Sequence, residues 1–305
     1  MKGRILQVLR EERGHVPGEV LSRQLDLSRT RTSQHIRGLR RHGYVIESSK
    51  RGYRLVSSPD LLLPCEFPSH EHRIHYFPEI GSTMDPSRDL AREGVDDGTI
   101  VIAEAQTRGR GRLSREWVSP SGGIYFTVIL RPEVKPAYAP LANLMASVAV
   151  ATSIRELYGL KAAVKWPNDV LIHGKKVCGI LAEMESGMDV VKFINVGIGI
   201  NANTAVPEFA ETATSLKEAL GRDISRQEFL RALLLEIDRR ADSLTDMSML
   251  EEWKDLSATL NRDVRIAASD GEIAGLAIDV DRTGALILRQ TDGSLRKIVA
   301  GDCSQ

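Results

Sequence analysis

Lys165-Trp166-Pro167-Asn168-Asp169-Val170-Leu171-Ile172-His173-Gly174-Lys175-Lys176-Val177-Cys178-Gly179-Ile180-Leu181 is the stretch whose reading decides the fold. An apolar run breaks at the polar His173-Gly174-Lys175 turn and resumes toward Met184, which predicts a hairpin within Val170–Met184. Outward from it, Val190–Ile200, Ile100–Ile102 and Ile124–Leu130 also have strand character. Ala139–Tyr158 predicts one long buried helix, and further helices fall at about 226–244 and 250–256. Strands adjoin strands more often than helices, so the chain is expected to be multidomain α+β rather than doubly wound. No internal repeat of 20–50 residues is visible. From Val264 onward short strands meet at Asp270-Gly271 and Asp292-Gly293, strong hairpin turns, which predicts a small antiparallel barrel at the end.

The beginning reads differently. Residues 1–56 carry 13 Lys+Arg against 5 Asp+Glu, whereas the whole chain is balanced at 41 of each. A basic module of net charge +8 therefore precedes a body of net charge −8, and only the module suits a polyanion. Ile5, Val8 and Leu9 predict a first short helix; Val20, Leu21 and Leu25, after Pro17, predict a second. Asp26-Leu27-Ser28 makes the turn, Ser28 caps a third helix with Ile36 and Leu39 inward, and Gly43 stops it. Tyr44–Ile46 and Tyr53–Val56, joined by Ser49-Lys50-Arg51-Gly52, complete a winged helix-turn-helix. Arg29, Thr30, Arg31, Ser33, Gln34 and Arg37 on the third helix, with Lys50 and Arg51 in the wing, are the candidate DNA contacts. Short polar groups can read base edges while the basic ones neutralise phosphates. Residues 57–70 contain three prolines and read as a linker or docking segment.

Composition narrows the class. With 305 residues, 42% hydrophobic and 27% charged, the chain can bury a sizeable core in two or three domains. Leu141–Ile154, the longest nearly apolar stretch, falls short of the ~20 residues a bilayer needs. The charged start, without a small-residue cleavage site, is not expected to be a signal peptide. Cys65, Cys178 and Cys303 lie far apart, which excludes a disulfide scaffold or cysteine-rich zinc site and favours a reducing cytoplasm.

Four segments carry chemistry. Gln106-Thr107-Arg108-Gly109-Arg110-Gly111-Arg112-Leu113-Ser114-Arg115-Glu116-Trp117 alternates glycine with arginine, a loop able to close amides and guanidiniums over phosphates. It is neither a Walker A loop nor a dinucleotide fingerprint. Lys165–Val170 places a lysine, an amide and a carboxylate at a proline turn, suited to phosphate, adenine and Mg²⁺. In Lys175–Leu181 a lysine alternates into an apolar strand, where it needs an anion; spacing leaves open which of Lys175 and Lys176 points inward. Cys178, with no histidine at a recognisable offset, reads as a packed thiol. Gly197-Ile198-Gly199-Ile200-Asn201 is a strand whose glycines permit close ligand approach and which ends in an amide.

Taken together, Ser82-Thr83, the GRGR loop, KWPND, KxxGIL and GIGIN resemble, in order and spacing, the biotin protein ligases. The winged helix resembles the subclass that doubles as repressor of the biotin operon. The resemblance covers nearly the whole chain. It implies a catalytic domain like that of class II aminoacyl-tRNA synthetases and a C-terminal SH3-like barrel. The implied layout is 1–57 DNA-binding, 58–73 linker, 74–258 ligase and 259–305 C-terminal domain. By resemblance Ser82, Thr83, Met84, Gln106, Gly109, Arg110, Gly111, Arg112 and Lys176 bind biotin, and Arg112 and Lys176 are catalytic. Arg115, Trp117, Lys165, Asn168 and Asn201 meet the nucleotide, Asp169 helps hold Mg²⁺, and Arg262 falls near the nucleotide. The implied reaction joins biotin to MgATP as biotinyl-5′-AMP and passes it to a lysine of the biotin carboxyl carrier protein domain of acetyl-CoA carboxylase. The adenylate would also act as corepressor, promoting a homodimer on operator DNA, with no membrane involved. Two departures stand out: Met84 replaces a frequent Asn, and Leu113-Ser114 a frequent basic-Gly pair. The rival readings are a lipoate ligase or octanoyltransferase, whose RRxSGGGxxxHD-type stretch is absent, and a non-catalytic biotin sensor.

Overall fold

The computed structural model describes residues 1–12, 14–205, 212–268 and 271–304. It divides into two compact units, Met1–Tyr76 and Phe77–Gln305.

In the first unit α1 (Lys2–Glu11), α2 (Gly18–Gln24) and α3 (Arg29–Arg41) precede the antiparallel pair β1 (Val45–Ser49) and β2 (Gly52–Ser57). Ser28 caps α3, its Oγ accepting from the Arg31 amide at 3.2 Å, and Gly43 takes the left-handed φ that ends it. Ile5, Leu6, Leu9, Leu21, Leu25, Ile36 and Leu39 form the core. Val20, expected on the apolar face of α2, is instead 39% exposed. With only two turns, α2 turns Leu21 inward, and its sequence neighbour lies about 100° around the axis. Arg29, Thr30, Arg31, Gln34, Arg37, Lys50 and Arg51 are exposed and Ser33 is half-buried.

Residues 58–73 belong to this unit, with Leu63 and Cys65 in the same core. Glu66 is buried and accepts from Arg10 Nη1 and Nη2 at 2.9 and 2.8 Å and from the Tyr44 hydroxyl at 2.5 Å. Burial, with that hydrogen bond, pushes the Tyr44 phenol far above its usual range, so it stays a donor.

The second unit is built on a seven-stranded sheet. Its members are β3 (Ile74–Phe77, where the chain passes from one unit to the other), β4 (Thr99–Ala103), β5 (Ile124–Leu130), β6 (Ala162–Lys165), β7 (Asp169–Ile172), β8 (Lys175–Ser186) and β9 (Val191–Ile200). The order is β3-β4-β5-β9-β8-β7-β6. From β4 to β6 neighbours are antiparallel, while Ile80 bridges Gln106 in parallel, so the sheet is mixed. The expected hairpin at His173-Gly174 is present, both residues at positive φ. Helices α4 (Met84–Glu93), α5 (Leu141–Tyr158), α6 (Leu216–Leu220), α7 (Arg226–Ala241) and α8 (Met247–Leu256) accompany it. α5 packs between the sheet and α7 and α8, so the one described helix apolar enough to cross a bilayer is buried core. α4 had no apolar signal: only Met84, Leu90 and Ala91 mark its inner side.

The chain ends in a five-stranded antiparallel sheet, β10 (Asp263–Ala268), β11 (Gly271–Val280), β12 (Leu286–Arg289), β13 (Leu295–Ile298) and β14 (Asp302–Ser304), ordered β13-β12-β11-β10-β14. Gly293 turns at positive φ as expected; Asp270 lies outside the described residues.

One buried ion pair ties α7 to the sheet. Arg226 Nη2 lies 2.9 Å from Glu104 Oε2, both side chains under a tenth exposed, and Nη1 donates to the Gly123 carbonyl at 2.7 Å. Removing one partner of such a pair costs about 3–5 kcal/mol, because the other charge keeps its desolvation penalty. Glu104→Ala is expected to lower the unfolding free energy by that much, read as a lower urea midpoint at unchanged slope; a loss below about 1 kcal/mol would refute a structural role.

Candidate active site

The site begins with bare backbone. Strands β8 and β9 place Gly179 opposite Gly199 and Leu181 opposite Gly197, so glycines from KxxGIL and GIGIN adjoin across the sheet. A Cβ on Gly199 would stand 2.3 Å from Trp117 Nε1, and one on Gly197 2.6 Å from Met84 Sδ. The close approach expected of a ligand at these glycines is made instead by two side chains of the protein itself, Trp117 and Met84. Above this patch lies a cavity of about 250 Å³.

One wall comes from the start of α4. Gln106 Oε1 accepts from the Thr83 amide at 2.9 Å and the Thr83 hydroxyl at 3.2 Å, while its Nε2 donates to Ser119 Oγ at 2.9 Å. Thr127 Oγ1 lies 2.8 Å from Thr83 Oγ1 and 3.4 Å from Met84 Sδ. A soft thioether, buried with Met84, thus completes this wall.

The opposite wall is the glycine-arginine loop. Trp117 N donates to the Gly109 carbonyl at 2.9 Å and Gly111 N to the Arg115 carbonyl at 2.7 Å, folding the loop back on itself. At its tip Leu113 and Ser114 hold φ of 53° and 58°. A left-handed backbone costs a residue with a Cβ roughly 1–2 kcal/mol.

The four cations on the cavity are met by three carboxylates, each from a different element. Arg110 pairs with Asp85 of α4 at 3.0 Å, and Lys176 Nζ with Asp169 Oδ1 of β7 at 2.7 Å. Arg115 pairs closely with Asp302 of β14, which also lies 3.8 Å from Arg112 Nη1. Arg112 donates further to Asn168 Oδ1 at 3.3 Å and the Gly301 carbonyl at 3.1 Å. Burial draws the Arg112 guanidinium below its ordinary value, and Asp302 and Asp169 partly restore it. The lysine question is settled geometrically: Lys176 faces the cavity with its ammonium 5.3 Å over the Trp117 ring, while Lys175 is exposed. Asn168 is held by its Nδ2, which donates to the Ile180 carbonyl at 2.6 Å.

Twelve of the sequence-predicted residues meet here: Ser82, Thr83, Met84, Gln106, Arg110 and Gly111 along one side, Arg112, Arg115, Trp117, Asn168, Asp169 and Lys176 along the other. Gly109, Lys165, Asn201 and Arg262 do not line the cavity. Gly109 has its own task, since a Cβ there would meet the Trp117 carbonyl oxygen at 2.3 Å. Asn201 is taken up in fastening the end of β9, its Nδ2 donating to the Thr214 carbonyl at 3.0 Å. Sequence reasoning missed Asp302, which sits in a short terminal strand with no pattern of its own to betray it. Cys178 is fully buried and burial pushes its thiol far upward, which bars it as a nucleophile. Among the described residues no group of three or more His, Cys, Asp or Glu is placed to hold a metal.

Comparison with known proteins now separates the possibilities. A family model described as "Biotin/lipoate A/B protein ligase family" matches residues 76–201, a biotin protein ligase C-terminal domain model matches 259–304, and an HTH domain model matches 3–54. The bifunctional ligase/repressor BirA of Bacillus subtilis is 35% identical over 94% of this chain and 93% of its own length. The chain belongs to the bifunctional biotin ligase/repressor family. BirA of Escherichia coli is 31% identical, covering 94% of this chain and 92% of its own. The solved biotin protein ligase from Aquifex aeolicus in complex with biotin and ATP shares 30% identity at a TM-score of 0.65, covering 76% of this chain and 97% of that one.

In this member of the family the glycine patch fixes the indole. Gly199→Ala is expected to push Trp117 outward, because the new Cβ would collide with the ring. Trp166 and Trp253 are fully buried, so a red-shifted emission with easier iodide quenching reports Trp117 alone. Emission unchanged from wild type would show that the glycine does not set the indole position.

Proposed function

We propose that this chain is an ATP-dependent biotin protein ligase that also represses transcription in response to biotin. The observation that carries the catalytic half is the convergence of Arg112 and Lys176 on one glycine-floored cavity. The biotin carboxylate attacks the α-phosphorus of ATP, giving biotinyl-5′-AMP and pyrophosphate. A lysine of the biotin carboxyl carrier protein domain of acetyl-CoA carboxylase then attacks the mixed anhydride and releases AMP. Two anions must meet in the first step, and fixed positive charge in a partly dry site offsets their repulsion. Lys176 lies between the two reacting groups and Arg112 closes over them. Arg115 takes the triphosphate, and Trp117 and Asn168 flank the adenine side. Ser82, Thr83, Met84, Gln106 and the backbone of Gly109–Gly111 hold biotin. No covalent enzyme intermediate is required, in keeping with the inert Cys178 thiol.

Mg²⁺ enters with ATP as part of the substrate. Asp169 is the carboxylate in the cavity best placed to meet it, at a site with too few protein ligands for a resident ion. The metal supplies charge neutralisation of the phosphates.

The repressor half rests on the exposed basic face of α3 and its wing. Biotinyl-5′-AMP is the corepressor, and a homodimer presents two winged helices to a two-fold operator. The catalytic sheet corresponds to that of class II aminoacyl-tRNA synthetases, and the terminal sheet closes as an SH3-like barrel. The protein works in the cytoplasm, where its free cysteines stay reduced.

Arg112→Ala and Lys176→Ala are each expected to slow adenylate formation more than about tenfold, roughly 1.4 kcal/mol of barrier, in a biotin-dependent pyrophosphate-exchange assay. Near-normal exchange in both variants would remove these residues from the reaction. Incubation with labelled biotin or lipoate, ATP and a carrier domain separates a ligase from a lipoate enzyme and from a sensor without turnover. On DNA, Arg31→Ala and Arg37→Ala should weaken biotin- and ATP-dependent operator binding, each lowering the log–log salt slope by about 0.9 if it holds a phosphate. A gel shift indifferent to biotin and ATP would defeat the repressor assignment.

A further inference from the structure

The cation pairs around the cavity differ in what they ask of an incoming nucleotide. Asp85 on α4 and Asp169 on β7 belong to the central part of the second unit and each hold one cation. Asp302 arrives from β14, almost two hundred residues along the chain, and touches two arginines of the loop at once. Arg112 is further fixed to this segment by the Gly301 carbonyl, 3.1 Å from Nη2. Between the two arginines stand Leu113 and Ser114, both at positive φ. The loop is therefore fastened at Arg112 and Arg115 to the terminal sheet, with strained backbone between the fastenings.

Asp302 is only 26% exposed and lines the cavity, yet the Arg115 it holds is 68% exposed. The carboxylate thus occupies an interior anion position facing a guanidinium that can swing away. A polyphosphate brought into this cavity competes for the same two guanidiniums, offers more charge and more acceptor oxygens, and is repelled by Asp302 itself.

We propose that Asp302 is an internal stand-in for the nucleotide's phosphates: a latch that holds Arg112 and Arg115, and the strained tip between them, until a nucleoside triphosphate takes its place. This deepens the ligase reading and rests on it for the identity of the nucleotide. The exchange breaks the Asp302 ion pairs, forms phosphate pairs with the same arginines, and lets Leu113 and Ser114 leave the left-handed region. Asp302 is a positioning residue, acting through the arginines without itself touching the reacting atoms.

The chain carries its own reporter, since Arg108, Arg110, Arg112 and Arg115 are trypsin sites within the loop. In nucleotide-free Asp302→Asn, cleavage in 108–115, followed by mass spectrometry, should accelerate about three- to fivefold, the factor that loss of one exposed ion pair allows. Its KM for ATP should fall by a similar factor, because a latched population no longer reduces apparent affinity, while the KM for biotin stays the same. Asp302→Glu, which keeps the charge, should stay close to wild type in both readouts. Arg115→Gln should accelerate cleavage at Arg112, and the double variant with Asp302→Asn should be less than additive. Unchanged cleavage in Asp302→Asn, or a raised KM for ATP, overturns the latch. A wild-type chain that forms no biotinyl adenylate would defeat the ligase reading, and the nucleotide-free cleavage rates would still decide whether the loop is held.

Discussion

Four cations face one cavity of about 250 Å³, and their mutual repulsion is the constraint the rest of the site answers. Two unit charges at 4 Å interact by about 4 kcal/mol at the effective dielectric near a protein surface. Such a set is held together only if each member has a counter-charge that does not fill the cavity. The fold supplies these from the first turn of α4 (Asp85), the strand after the proline turn (Asp169) and the last strand (Asp302). In the antiparallel register of β7 and β8 Leu171 opposes Lys176 and Asp169 opposes Gly179, so the lysine reaches Asp169 diagonally across the pair. Glycines at matched positions keep the floor bare enough for Trp117 to lie flat against it.

Much of this was legible before any coordinates. The hairpin at His173-Gly174, the strands at Ile124–Leu130 and Val191–Ile200, the buried α5 and the winged helix all follow from patterns of apolar residues and turn residues that the structure reproduces. Those patterns work because one face of each element is buried and the other is not. Where that contrast is weak the reading fails. α4 places Met84, Leu90 and Ala91 inward amid six polar or charged residues and a proline, and β6 is four residues long. Val20 shows the same weakness at the scale of one residue, since an apolar side chain in a two-turn helix need not face the core.

The site was legible for a different reason. Gly109, Gly111, Gly179, Gly197 and Gly199 stand beside arginines, lysines and amides in short runs, and such runs survive in sequence because their residues act as neighbours in the chain. Asp302 acts on residues far from it in sequence, and a lone aspartate before Cys303 looks like any surface strand end. Ion pairing across the fold leaves no periodicity, so this half of the electrostatics became visible only in three dimensions. The choice of Lys176 over Lys175 is similar. A bulge between Val170 and Leu171 shifts the register so that Leu171 opposes Lys176, and alternation alone cannot locate a bulge.

The same pairing of arginine with carboxylate does two jobs in this protein, and solvent exposure separates them. Glu66 in the first unit is fully buried and held by Arg10, and Glu104 with Arg226 is buried in the second. Breaking a buried pair strands a desolvated charge, so those pairs are permanent and fix elements to one another. The cavity pairs are partly open to water: Arg110 and Asp85 at 36% and 48%, Lys176 and Asp169 at 33% and 20%. Pairs of that kind are worth about 1 kcal/mol or less, because water replaces what the partner provides. A site that must exchange its internal anions for those of a substrate needs bonds of the second kind, strong enough to orient a guanidinium and weak enough to give it up. Burying them further would hold the cations better and surrender them more slowly. The structural pairs are set apart by their carboxylates, since Glu66 and Glu104 are under a tenth exposed while Asp85, Asp169 and Asp302 all keep contact with water.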